Sequence, residues 1–230
     1  MLPSNRQSAI SNPQLGARAL AAWEIVSVVT SVVIAEWVVF AVAGDSAPAL
    51  AFPVGSVLVF MFLSHRARGE TAREVGWRMD NFGRAAKLLL PPMLILSVPL
   101  LTFGWLAGNL DLTRWRGGQT ILGTPALGAL WGFLQQYALQ GFINRRAQLL
   151  WGPGRKSVLL VAIVFALLHL PNPWLTAATF AAGLLWAYTY QRAPNLFALG
   201  LSHAAMTWVL VSAVPPQALH NLRVGFKFFR

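Results

Sequence analysis

The sequence predicts an all-α, polytopic transmembrane helical bundle of about seven spans, with six to eight admissible, on three observations. Of its 230 residues, 56% are hydrophobic and 11% charged, more apolar surface than one soluble core of that size hides. The charges fall between long apolar runs, as a bilayer demands when an unpaired buried charge costs several kcal/mol. Several of those runs approach the roughly 20 residues that a helical span needs.

The first run, Leu20 to Ala43, ends in Ala41-Val42-Ala43, which superficially resembles a signal-peptidase site. It is too long for a signal segment and carries Glu36, so it reads as a retained helix. Further runs extend from Pro48 to Ser64, Leu88 to Ala107, Pro125 to Asn144, Ser157 to Leu170, Trp174 to Tyr190 and Asn195 to Val214. Pro171-Asn172-Pro173 and Pro194-Asn195 separate the last three, because proline stops a helix and restricts the residue before it. Between the second and third runs, Glu70 with Arg73 and Glu74 with Arg78 are spaced as helical ion pairs. That stretch reads as an interfacial helix or a basic connector. The expected organisation is a cytoplasmic segment 1–19, one membrane domain 20–214 with a motif core 125–214, and a basic tail 215–230.

The net charge of +11 would suggest nucleic acid in a soluble protein, but the Lys and Arg residues gather at the ends of apolar runs, where they set topology. No nucleic-acid partner is expected; the bilayer is. Arg6, Arg18, the cluster from Arg66 to Lys87, Arg145, Arg146, Arg155, Lys156 and Arg192 share one side if the N-terminus is cytoplasmic, in a bacterial plasma membrane. Asp45 lies on the opposite side, with Arg114 and Arg116 as exceptions. Arg223, Lys227 and Arg230 also break the rule, which requires either a miscounted helix or a tail that folds back. His65 and His220 read as surface residues, and Glu24 as a structural anion near a helix start. The absence of cysteine excludes disulfides, thiolate nucleophiles and Cys-ligated metals.

Polar residues at membrane depth mark function more often than surface polar groups do. Gln135, Gln136 and Gln140 lie on the fourth span, His169 on the fifth, and His203 and Thr207 on the seventh. Gln136 and Gln140, Phe165 and His169, and His203 and Thr207 are each one turn apart and share a face, so three helices can present one polar cavity. Interhelical hydrogen bonding without function is the competing reading. Two histidines make a weak zinc site, since zinc takes three or four protein ligands; no metal or cofactor is expected.

These elements resemble the CPBP (ABI) family of intramembrane proteases, which includes the prenyl-protein C-a-a-X endopeptidases and bacteriocin-processing or immunity proteins. The family pattern is Glu-Glu-x-x-x-Arg, then Phe-x-x-x-His, then His-x-x-x-Asn or similar, on successive transmembrane helices. Order and spacing match from Gln135 to Thr207. The resemblance implies peptide-bond hydrolysis by an activated water held by Gln135 and His169, with His203 and Thr207 facing the developing oxyanion. Here Gln135 and Gln136 replace the two glutamates, Gln140 the arginine and Thr207 the asparagine. A carboxamide orients a water but does not take its proton at neutral pH, which leaves His169 as the base. Losing the glutamates also removes the charge an arginine would neutralise, so a neutral Gln140 avoids a buried unpaired cation. No carboxylate side chain follows Asp111, so Glu36 is the candidate substitute. The alternatives are a catalytically impaired member that binds or scaffolds a membrane peptide, and a small-solute transporter.

Overall fold

A computed structural model describes residues 13–44, 46–114 and 125–230; the readings made for Arg6, Asp45 and Arg116 lie outside the described residues. Among the described residues the secondary structure is entirely helical. Helix α1 runs over Pro13–Ile34, a π turn Ala35–Val39 and Phe40–Ala43, so Ala41-Val42-Ala43 is the helical end of the first span. α2 is Ala47–Ala67, α3 the short Ala72–Val75 and α4 Phe82–Leu106. α5 begins as Pro125–Gln136, widens to a π helix over Tyr137–Asn144 and ends as Arg145–Trp151. α6 is Arg155–Leu167, α7 Pro173–Arg192 and α8 Leu196–Ala213. Seven of these are long, in keeping with about seven spans. Leu15–Ala43, Phe82–Leu106 and Leu196–Ala213 are long and apolar enough to cross a membrane by length and composition alone. The protein is an integral membrane protein.

The bundle closes through glycines where helices touch backbone to backbone, the usual device when lipid supplies no hydrophobic drive between helices. A Cβ on Gly183 of α7 would stand 2.8 Å from the Ala162 Cα of α6, and one on Gly104 of α4 equally close to the Ala213 Cα of α8. A Cβ on Gly200 of α8 would enter the Phe133 ring of α5. By contrast α4 faces outward: only 11% of its most apolar window is buried.

Each end of the bundle is tied by caps. Asn172 and Asn195 cap α7 and α8, accepting from the Leu175 and Ala198 amides, which satisfies orphan donors of a helix start. The Asn195 amide also donates to the Arg78 carbonyl and Asn81, and Tyr190 donates to the Val75 carbonyl at 2.7 Å. The loops at this end are thereby fastened together. At the other end Arg114 donates to the Val211 and Val214 carbonyls, both at 2.8 Å. Its charge thus lies on the C-terminus of α8, where the helix dipole favours a cation.

Two local expectations are corrected. The stretch after α2 contains the four-residue α3 rather than an interfacial helix, and its charges pair elsewhere. Glu74 closes a capping box with Thr71, Arg73 and Arg78 both bind Asp80, and Glu70 binds His65, Arg145 and Arg146. A four-residue helix is too short to align i,i+4 partners, and the caps compete for the same carboxylates. His65, read as a surface residue, is 5% exposed, because its Nδ1 lies 2.5 Å from Glu70 Oε2. The tail folds back rather than forming another span.

Candidate functional site

The intramembrane site is assembled from four helices. α6 ends with His169 in the turn beyond Leu167, and the His169 Nδ1 lies 2.7 Å from the Phe165 carbonyl. Only a protonated Nδ1 donates to a carbonyl, so His169 Nε2 carries a lone pair. On α8, His203 Nδ1 lies 3.1 Å from Gln136 Nε2. An amide NH2 donates, so this Nδ1 accepts and the His203 proton resides on Nε2. With both rings neutral, this pairing leaves an acceptor on His169 and a donor on His203.

Aromatic packing holds both rings. Phe165 meets His169 edge-on at 4.8 Å between centroids and His203 at 6.0 Å, while Trp186 of α7 stacks on His203 at 4.6 Å and 22°. The Trp186 Nε1 donates to Ser202 at 2.9 Å, which fixes the indole plane. Gly132 of α5 lies beside the imidazole, where a Cβ would stand 3.4 Å from His203 Cγ, an ordinary contact. Trp186 has no signature in sequence: it belongs to none of the spaced elements and reaches the site only because Gly183 draws α7 onto α6.

Gln136 is fully buried, and its Oε1, like Gln135 Oε1, is buried without a hydrogen-bond partner. Each of these carboxamide oxygens is an acceptor. Thr207 lies one turn beyond His203 on α8 and is half-buried. Gln140 does not join the histidines. Its Oε1 accepts from Asn144 at 2.8 Å, and Asn144 Oδ1 accepts from Gln148 and Gln191, both at 3.0 Å. This amide ladder ties α5 to α7. Glu36 makes no hydrogen bond to either histidine; its Oε2 is buried without a partner and its Cβ abuts Gly225 of the tail. A groove of about 310 Å³ between α1 and α2, lined by Ser27, Ser31, Phe52 and Phe60 among others, is separate from the histidines.

A second polar cluster lies at the end where α1 begins, and sequence reasoning missed its cohesion. Arg146, read as a topology marker, is fully buried. Its Nε stands 2.9 Å from Glu24 Oε2, its Nη1 2.9 Å from Glu70 Oε1, and its Nη2 donates to Ser64. Arg68 binds Glu24 at 2.8 Å and Arg145 binds Glu70 at 2.7 Å. Burial would raise the Glu70 carboxyl, but His65, Arg145 and Arg146 outweigh it and hold it down at about 2. Glu24 is structural as expected, through these arginines rather than the helix dipole.

The arrangement is that of a polytopic membrane protein with a candidate histidine–amide site among α5, α6, α7 and α8. Residues 117–209 match the family model described as Rce1-like, type II CAAX prenyl endopeptidase. This segment contains all three spaced elements and is similar to the CAAX prenyl endopeptidases, in agreement with the resemblance drawn from Gln135 to Thr207. No curated protein and no solved structure matches the chain.

Proposed function

We propose that the chain is a CPBP-type intramembrane endopeptidase whose site works without a carboxylate. The observation that carries this is the placement of the two rings: His169 Nδ1 lies 2.7 Å from the Phe165 carbonyl, which in the neutral ring leaves a lone pair on Nε2, and His203 Nδ1 lies 3.1 Å from the Gln136 amide nitrogen, which in the neutral ring leaves the proton on Nε2. A water donates one hydrogen to His169 Nε2 and the other to Gln135 Oε1. Its oxygen attacks the peptide carbonyl carbon as its proton passes to His169. His203 Nε2–H and the Thr207 hydroxyl donate to the oxyanion. Collapse breaks the C–N bond, and the imidazolium returns the proton to the leaving amine. With an imidazole as sole base, turnover is slow.

The second reading is a peptide-binding or scaffolding protein with the same site. It is favoured by the amide oxygens of Gln135 and Gln136, which hold a donor without removing its proton. Peptide turnover in reconstituted membranes separates the two. Hydrolysis abolished by His169→Ala and by His203→Ala supports the first; peptide binding with no hydrolysis above background supports the second. In a bacterial plasma membrane with the N-terminus cytoplasmic, the two breaches of charge asymmetry have local explanations. Arg114 caps α8, and in the tail Lys227 lies over the Phe40 ring while Arg230 donates to the Ala41 carbonyl.

A further inference from the structure

The tail closes over the turn that follows His169 through main-chain carbonyls and an amide, with the Leu219 side chain buried. Asn172, fully buried, uses both amide hydrogens on the tail, donating to the Leu219 carbonyl at 2.9 Å and to the Arg223 carbonyl at 3.1 Å. The Gly225 N–H donates to the Leu170 carbonyl at 2.8 Å. Between these anchors His220, Asn221 and Leu222 all take left-handed φ, at 47°, 51° and 58°. Non-glycine residues rarely adopt that region, so the anchors hold a conformation the free segment would leave. On the opposite wall stands the π turn of α1. A Cβ on Gly225 would lie 2.8 Å from both the Glu36 Cβ and the Glu36 carbonyl oxygen, and Gly225 itself has φ 57°. Beyond it Phe229 packs on Trp37.

We propose that the cleft between the α6–α7 turn and the α1 π turn is a peptide main-chain binding site, occupied in cis by this chain's own residues 215–230. One wall supplies an acceptor, the Leu170 carbonyl, and two donors from Asn172; these read the backbone and not the side chains. The other wall makes a subsite that admits glycine alone. A peptide entering in trans needs a glycine to pass Glu36 and two carbonyls upstream of it to meet Asn172. The tail therefore competes with such a peptide for the approach to His169. The proposal rests on the reading that the adjoining histidines act on peptides, but its test measures binding, so it stands or falls separately from hydrolysis.

The test uses the full chain in nanodiscs and a synthetic peptide of the sequence 215–230 carrying a fluorophore. In the wild-type chain, excess unlabelled peptide is expected to raise deuterium exchange of the tail amides, Gly225 included, in a saturable way, at least tenfold at saturation. A peptide with alanine at the glycine is expected to leave exchange unchanged. Gly225→Ala in the full chain is expected to expel the tail and capture the labelled peptide at least tenfold more tightly than wild type. Asn172→Asp keeps the carboxyl oxygen that caps α7 but loses both donors; it is expected to free the tail and yet capture no peptide. Wild-type exchange unaffected by either peptide overturns the proposal even where a variant does not fold. So does equal capture by Gly225→Ala and Asn172→Asp, which would make the tail a packing segment.

Discussion

The two buried polar clusters differ in how they are satisfied. Around Arg146, every charge meets an opposite one: Glu24 and Glu70 are each held by two arginines, and Ser64 and His65 take up remaining positions. Around His203 there is no charge, and two amide oxygens have no partner. The charged cluster is held by ion pairs and clamps α1, the α2–α3 loop and α5 together, with His65 Nε2 left without a hydrogen-bond partner. The neutral cluster keeps capacity in reserve, as a site must if it is to take up a water or a peptide. Polarity within the membrane therefore does not by itself mark function.

The largest effect should come from giving the neutral cluster a charge. Gln135→Glu supplies the missing base and is expected to raise peptide hydrolysis by about 10² to 10⁴, measured as single-turnover rates in proteoliposomes. No gain would remove Gln135 from the water's position. The converse change at the charged cluster is Arg146→Met, which keeps the aliphatic stem and leaves Glu24 and Glu70 short of a partner. It is expected to cost about 3–5 kcal/mol, read as loss of folded protein in a thermal melt followed by size exclusion; an unchanged melt would mean that Arg68 and Arg145 suffice.

Next in size, His203→Phe retains an aromatic ring against Trp186 but removes the Nε2–H. Hydrolysis should fall about 10² to 10³, while stability falls by about 1–3 kcal/mol because the buried Gln136 amide loses its His203 partner. A loss of stability as large as that of Arg146→Met would erase the contrast between the clusters. The smallest effect is acid. Because Glu70 is held at about 2 against an ordinary 4.5, its contribution is complete above about pH 4.5 and is lost as pH falls toward 2. Melting temperature in detergent should drop over that window, and Glu70→Gln should flatten the drop.

Much of the fold was legible in sequence. The seven apolar runs and the two proline–asparagine breaks correspond to α1, α2 and α4 to α8, because hydrophobic length and helix stops are local properties. Part of the candidate site was legible too: the spacing of Phe165 to His169 and of His203 to Thr207, and the position of Gln136 on the facing helix. Trp186 was not, since nothing in α7 distinguishes it from other apolar positions until α6 and α8 surround it. Gln140 shared a predicted face with Gln136 but turned to Asn144, its neighbour on the π-widened stretch of α5. His65 looked like a helix-end surface residue until Glu70 and Phe142 closed over it.

By itself the sequence determined a membrane-spanning helical bundle, its breaks and the chemical inventory of the site, because apolarity, proline and residue type act at the point where they occur. Only the tertiary structure decided which buried polar atoms find partners, since those partners arrive from far along the chain. Ser64 reaches Glu24 across 40 residues, and Asn195 reaches Arg78 across 117. For that reason it took the assembled bundle to show Arg146 paired, Gln135 and Gln136 left in reserve, and the tail folded back beside His169.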